Sequence, residues 1–242
     1  MSAPTRRRRR LPFVVAALAV VVAAAVVLAV RPWQTVTNLP AQACWGVLTA
    51  DDLRPLAGQS GGTMSAATTT TSLQPASQAT DGGYHCVLSW QGGQAPANLG
   101  NGPTIALYTA AQLHQAQALD ASRGAVQPLS FGGGTGTSGG TGSGTNTGLI
   151  AWQAAYGYTL DLAFPCTYHD PFSGQVTHGY ARVSVDAAAN PSGDSPAPPS
   201  DVRQADAGIV LKLAKAFAQQ YPCGGVTLPA VAPSVPAYQT IS

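Results

Sequence analysis

Apolar residues follow three rhythms along this chain. From 11 to 30 they run unbroken, 20 residues without a charge. As a helix rising ~1.5 Å per residue, that run spans ~30 Å, the thickness of a bilayer's hydrocarbon core. From 84 to 90 they alternate, with Tyr84, Cys86, Leu88 and Trp90 on one side and His85, Val87 and Ser89 on the other. That is the period of a half-buried strand. From 201 to 221 the apolar positions Val202, Ala205, Ile209, Leu213, Ala216 and Phe217 recur at helical spacing.

The same criteria predict the other elements. Thr49-Ala50-Asp51-Asp52 opens like a capping box, Leu53, Leu56 and Ala57 make an apolar stripe, and Gly58 stops a short helix. Strands are expected at 104–109, at 149–156 and 158–164 about Gly157, and at 176–185. Residues 110–122 have helical composition, with Gly124 as the stop. In the last helix Ser200 is the expected cap, and Pro222 ends it. Asp201 and Asp206 near its start and Lys212 and Lys215 towards its end match the helix dipole.

Three stretches lack any period and are expected as flexible loops: 59–80, 132–148 and 187–200. Within the first, 68–71 has the composition of an edge strand. The second is Gly/Thr/Ser-rich, and the third carries Pro191, Pro196, Pro198 and Pro199. The expected organisation is a basic tail at 1–10, a transmembrane helix at 11–30 and a linker at 31–43. A domain at 44–223 and a Pro-containing tail at 224–242 follow. Strands that need only hairpin links, with helices around them, predict an α+β fold with an antiparallel sheet.

Charge sets the orientation of the span. Arg6 to Arg10 precede it, and Arg31 alone follows closely. The positive-inside rule then keeps the N-terminus in the cytoplasm and places the domain outside, as a single-pass cell-membrane protein. A span of 20 favours an uncleaved signal-anchor over a signal peptide, whose apolar region is ~7–15 residues. The first small-x-small site, Ala41-Gln42-Ala43, lies 13 residues beyond Val30. Lipidation at Cys44 would require a Leu three positions earlier and a shorter distance from the span.

Only 9% of residues are charged, against roughly 25% in an average soluble domain. Beyond Arg31 there are six cations and ten Asp, and no Glu occurs anywhere. No nucleic-acid partner is expected from that balance. All four cysteines, Cys44, Cys86, Cys166 and Cys223, fall in the outer part without a C-x-x-C. An even count in an oxidising compartment predicts two disulfides, and spacing leaves all three pairings open.

The run Cys44-Trp45-Gly46-Val47-Leu48-Thr49-Ala50-Asp51-Asp52-Leu53, then Gly58, then a strand with Cys86 and Trp90, resembles the opening of a group of actinobacterial cell-envelope proteins. These are uncharacterised lipoproteins and membrane-anchored domains. The resemblance covers about residues 43–110. It implies an envelope location, an α+β fold and a Cys44–Cys86 bond, and it supplies no activity. Here a lipobox is lacking and the Trp lies four residues past the Cys. With that pair, Cys166 at a strand end and Cys223 after the last helix form the second expected bond, one that pins helix to sheet.

No catalytic residue is assigned and no cofactor is expected. The G-x-S-x-G matches at 58–62 and 136–140 lack the strand before and helix after that expose a nucleophile. The G-x-G-x-x-G match at 134–139 has no helix to present to a phosphate. His169, Asp170 and His178 flank a turn in a zinc-like set, but polar residues at a hairpin end are ordinarily solvated, so no metal is assigned. Aromatic residues on the strands give the candidate binding groove: Trp90, Tyr108, Trp152, Tyr156 and Tyr158. The competing reading of those rings is core. The expected function is a membrane-anchored extracytoplasmic domain that binds an envelope protein, glycan or lipid. A cell-envelope hydrolase and an accessory subunit of a membrane complex are the alternatives.

Overall fold

The computed structural model describes residues 37–74, 83–131, 148–169, 174–187, 196–221, 223 and 226–239. The span expected at 11–30, the basic tail, most of the Gly-rich loop at 132–148 and residues 188–195 of the Pro-rich loop lie outside these. Among the described residues, no helix is long and apolar enough to cross a membrane.

The strands are β1 (Thr37–Asn38), β2 (Gln42–Ala43), β3 (Leu48–Thr49), β4 (Gly62–Thr68) and β5 (Gly83–Gln91). They continue with β6 (Thr104–Tyr108), β7 (Val126–Leu129), β8 (Ile150–Ala154), β9 (Thr159–His169) and β10 (Val176–Asp186). The helices are α1 (Ala50–Ala57), α2 (Ala110–Arg123) and α3 (Ser200–Gln220). Eight strands make one sheet in the order β1-β4-β5-β6-β10-β9-β8-β7, while β2 and β3 pair apart from it. The class is α+β, but the sheet is mixed, because β1 runs parallel to β4.

Alternation along the long central strands sorts side chains to two faces. Leu160, Leu162 and Phe164 of β9 join Ala181, Val183 and Val185 of β10 in the main core, against Leu53 and Leu56 of α1 and Ile209, Leu213 and Phe217 of α3. On the other face Ala163 and Trp152 meet Leu113 of α2 in a small second cluster. The disulfides are Cys44–Cys86 and Cys166–Cys223. They tie the start of the domain to β5 and the end of α3 to β9. Two such bonds fit an extracytoplasmic domain.

Local signals placed the helices well. At α1, Thr49 N donates to Asp52 Oδ2 at 2.8 Å, and the Gly58 N–H closes the helix on the Arg54 carbonyl. Lys212 of α3 then grips both Asp52 oxygens at 2.7 Å. Burial pushes Asp52 up, but Lys212 and the Thr49 hydrogen bonds outweigh it and leave its pKa below the ordinary value. At α3 the helix begins one residue early, with Pro199 rather than Ser200 in the capping position.

Five expectations are corrected. Residues 62–68, expected as loop, form β4, whose side chains are mostly small or polar and whose only buried one is Met64. Its place comes from backbone pairing with β5, Thr63 opposite Gln91 through Thr68 opposite Cys86. The linker expected at 31–43 already belongs to the fold from Thr37, through β1 and β2. Residues 126–129 form β7, an edge strand with no expected counterpart. The expected tail is a docked strap: within 226–239, Val235 and Tyr238 are buried. Asp206, read as a dipole partner, is 1% exposed on the core side of α3.

Candidate functional site

A cleft of about 620 Å³ opens between α2 and the sheet. Its walls are Gln112, Gln115, Ala116, Leu119, Asp120 and Arg123 of α2, with Tyr108, Arg182, Ser184 and Asp186 from the sheet. The Tyr156–Tyr158 turn and Thr159 close one end, and Asn101 borders another.

Local chemistry positions each wall. Thr109 caps α2, its N–H donating to Gln112 Oε1 at 2.8 Å while Gln112 N donates back to Thr109 Oγ1 at 3.2 Å. Only Leu113 of α2 is buried, so the helix is propped against the sheet rather than sunk into it. The turn at 156–158 depends on Gly157 at φ 69°, followed by Tyr158 at φ 49°, an uncommon conformation for a side chain this bulky. Gly100 sits so close to β10 that a Cβ there would lie 1.9 Å from the Asp186 carbonyl oxygen.

Beneath the cleft is a buried ionic network. Trp152, Asp161 and Ser184 stand in register across β8, β9 and β10. Arg182 Nε donates to Asp161 Oδ1 at 2.8 Å, and its Nη2 donates to Asp120 Oδ2 at 3.3 Å. Trp152 Nε1 donates to that same Oδ2 at 3.1 Å. The guanidinium also lies over the rings of Trp152 and Tyr108, 5.1 and 5.8 Å from their centroids. Burial works against the Arg182 charge, but the Asp161 carboxylate outweighs it and holds Arg182 firmly protonated. Complete burial pushes Asp161 up, and Arg182 opposes that push.

Asp120 is thus held through Oδ2, and among the described residues no hydrogen bond to its Oδ1 is made. Among the described residues, no side-chain hydrogen bond reaches the Asp186 carboxylate. Burial, with the nearby Asp161 and Asp120 charges, pushes its pKa up to about 6 despite Arg182. The cleft therefore offers pre-positioned acceptors, with amides and hydroxyls around them.

Of the five aromatic candidates, Tyr108 and Tyr156 line the cleft. Trp152 lies under it at 2% exposure. Tyr158 turns its ring to Tyr238, 5.0 Å away, and Trp90 packs on the main core across from Met64 on β4. Arg123 covers a face of Tyr156, 5.4 Å from its centroid. The aromatic groove thus becomes a polar cleft whose rings support arginines. Sequence reasoning missed Asp120, Arg182 and Asp186. The available signal was a lone charge at alternate positions in otherwise apolar strands, as in Leu160-Asp161-Leu162 and Ala181-Arg182-Val183.

The two histidines of the zinc-like set lie on β9 and β10. His169 pairs with Val176 and His178 with Thr167, so the two imidazoles are diagonal rather than opposite, and Asp170 lies outside the described residues. Among the described residues, no three His, Cys, Asp or Glu are grouped to hold a metal ion. Ser60 of the first G-x-S-x-G follows α1 and precedes β4, the reverse of a nucleophile elbow.

No family model, curated protein or solved structure matches this chain.

Proposed function

We propose that this is an extracytoplasmic binding domain, anchored by the span at 11–30, whose α2 cleft takes a hydroxyl-rich ligand, a short envelope glycan. One observation carries the reading. Asp120 is locked from beneath by Trp152 and Arg182, leaving a rigid carboxylate oxygen to accept from paired sugar hydroxyls. Asp186, Asn101, Gln112 and Gln115 surround it as further hydrogen-bonding groups. Pre-organised polar groups in a concave site give orientation and specificity at low ordering cost. Leu119 and Tyr156, both exposed at the rim, add apolar contact for sugar faces.

The test is a panel of neutral and acidic oligosaccharides, titrated into the full chain in detergent. Binding of at least one class, weakened about tenfold or more by Asp120→Ala and Asp186→Ala in variants that keep a cooperative melting transition, supports the reading. Absence of any binding, or binding indifferent to both substitutions, overturns it.

A hydrolase is the second reading, and Asp186 favours it. A carboxyl with pKa about 6 sharing a cleft with Asp120 matches the environment that separates a general acid from its partner carboxylate. Cleavage of the bound oligosaccharide, lost in Asp186→Asn, would replace the binding-only reading.

A further inference from the structure

The strap at 226–239 is held in an unusual way. Lys215 Nζ donates to the Ala230 carbonyl at 2.9 Å, and Gln204 Nε2 to the Pro233 carbonyl at 2.9 Å. Gln153 Nε2 reaches the carbonyls of Pro236 and Ala237 at 3.4 and 3.5 Å. Each of these bonds runs from a side chain of the body to a main-chain carbonyl of the strap. The strap supplies one donor in return, Tyr238 Oη to the Tyr158 carbonyl at 2.9 Å. Its sequence carries Pro229, Pro233 and Pro236, which keep a chain extended and have no N–H. Side-chain donors reading the carbonyls of an extended, proline-containing chain is a general mode of peptide recognition, tolerant of the side chains between the prolines.

The body of α3 beside this strap holds polar groups left without partners. Among the described residues, neither carboxylate oxygen of Asp206, a residue 1% exposed, has a hydrogen-bond partner, and neither has Gln153 Oε1. Burial, with the Asp186 charge, pushes the Asp206 carboxyl well above its ordinary pKa, and Asp206 lies near enough to Tyr238 for the two groups to feel each other. Arg203, one turn earlier on α3, directs Nη1 to the Pro198 carbonyl instead. A buried carboxyl without a donor is strongly unfavourable. The resident segment, rich in residues that lack an N–H, leaves it so.

We propose that the groove along α3 and β8 is a docking site for an extended, proline-containing segment of a partner protein carrying a Lys or Arg that reaches Asp206. Residues 226–239 are its resident occupant in cis. Cys223, bonded to Cys166, fixes the point where the strap leaves the body, so a partner displaces the strap without disturbing α3. The covalently attached strap competes at high effective concentration. The added cation is what lets a partner prevail. This inference does not rest on the glycan reading of the α2 cleft, although Tyr238 bonds to the turn beside that cleft.

The experiment uses the full chain with a protease site between Cys223 and Val226, cut after folding. A labelled peptide of sequence 226–239 is then competed with peptides carrying one Lys at each position from 234 to 239. At least one Lys peptide should displace the label about tenfold more strongly than the unlabelled parent. That gain should vanish in Asp206→Asn, which should still bind the parent peptide. If no Lys peptide exceeds the parent, or if the gain survives Asp206→Asn, the proposal fails. Loss of the folded state on cutting also overturns it, since the strap would then be core rather than occupant. Crosslinking of straps between two copies of the uncut chain would assign the groove to self-exchange and overturn it too.

Discussion

The two faces of the sheet are built from opposite materials. Against the face that carries α1, α3 and the strap, the chain packs Leu160, Leu162, Phe164, Ile209, Leu213 and Phe217, all at or near zero exposure. Here α3 is covered on several sides, by sheet, by α1 and by the strap. Against the other face, α2 buries Leu113 alone, and the space beneath it is filled by Arg182, Asp161, Asp120 and Trp152. One face excludes water with hydrocarbon. The other holds charges in a fixed arrangement and leaves a cleft above them. Apolar packing is concentrated on the first face, and the fixed charges with their cleft on the second. The same strands serve both, because a period of two lets one strand carry two unrelated patterns.

Charge placed on the apolar face should break the fold outright. Leu213→Asp or Ile209→Asp puts an unpaired carboxylate among aliphatic side chains. It should cost several kcal/mol out of a typical total of about 5–15, seen as loss of the cooperative thermal transition. Survival of the transition would mean that α3 does not anchor the core.

The polar face should respond to substitution in a different way. Arg182→Met strands Asp161 in a site with no solvent access and should cost about 3–5 kcal/mol in urea unfolding. Adding Asp161→Leu should restore most of that stability, because two apolar groups replace a buried pair at little net cost. The double variant should nonetheless lose ligand binding, since Asp120 loses one of its two supports. If stability is not restored, the network holds the fold as well as the cleft.

Removal of a staple comes next. Cys166→Ser with Cys223→Ser opens a loop of 57 residues and should cost about 2–4 kcal/mol. Denaturation with and without reductant checks it: the variant should match the reduced wild-type chain once Cys44–Cys86 is also open.

The smallest effect is one of pH. Asp186 has its pKa raised in the folded state, so the folded chain holds its proton more tightly than the unfolded chain does. The stability it contributes is present in full below the unfolded value of about 4 and is lost as pH rises to about 6. Asp186→Asn lacks this loss. Melting curves from pH 3.5 to 7.5 should show the variant gaining on the wild type through that window by a few degrees, then running parallel. A constant gap would place Asp186 in ordinary solvent.

Legibility followed local information. α1 was readable from its reciprocal cap, Thr49 with Asp52, and α2 from its helical composition alone, and each ends at a glycine; the Thr109–Gln112 cap of α2 went unread. The exposed outer residues Val87 and Ser89 and the buried Cys86 and Leu88 made β5 readable. β4 was not readable: Ser65, Ala66, Ala67 and Thr68 have no apolar alternation, and only the ladder to β5 makes them a strand. The strap was unreadable for the same reason, since its holding bonds come from Lys215, Gln204 and Gln153, residues 15 to 84 positions away. For the cleft, the aromatic residues pointed to two of its walls, Tyr108 and Tyr156, while Asp120, Arg182 and Asp186 went unread.

By itself the sequence determined what acts over short range: the apolar run at 11–30, the helix caps, the strand alternation and the cysteine count that requires two bonds. Tertiary structure decided which cysteines meet, that 62–68 is a strand, that 226–239 is bound rather than free, and that Arg182 finds Asp161 and Asp120. The physical reason is range. Caps and periodicities are satisfied within a turn or a pleat and leave a mark in neighbouring residues. Pairing of a polar strand, docking of a proline-containing segment and burial of a charge depend on partners supplied by distant parts of the chain. Their free energy appears only once the sheet has brought those partners within hydrogen-bonding distance.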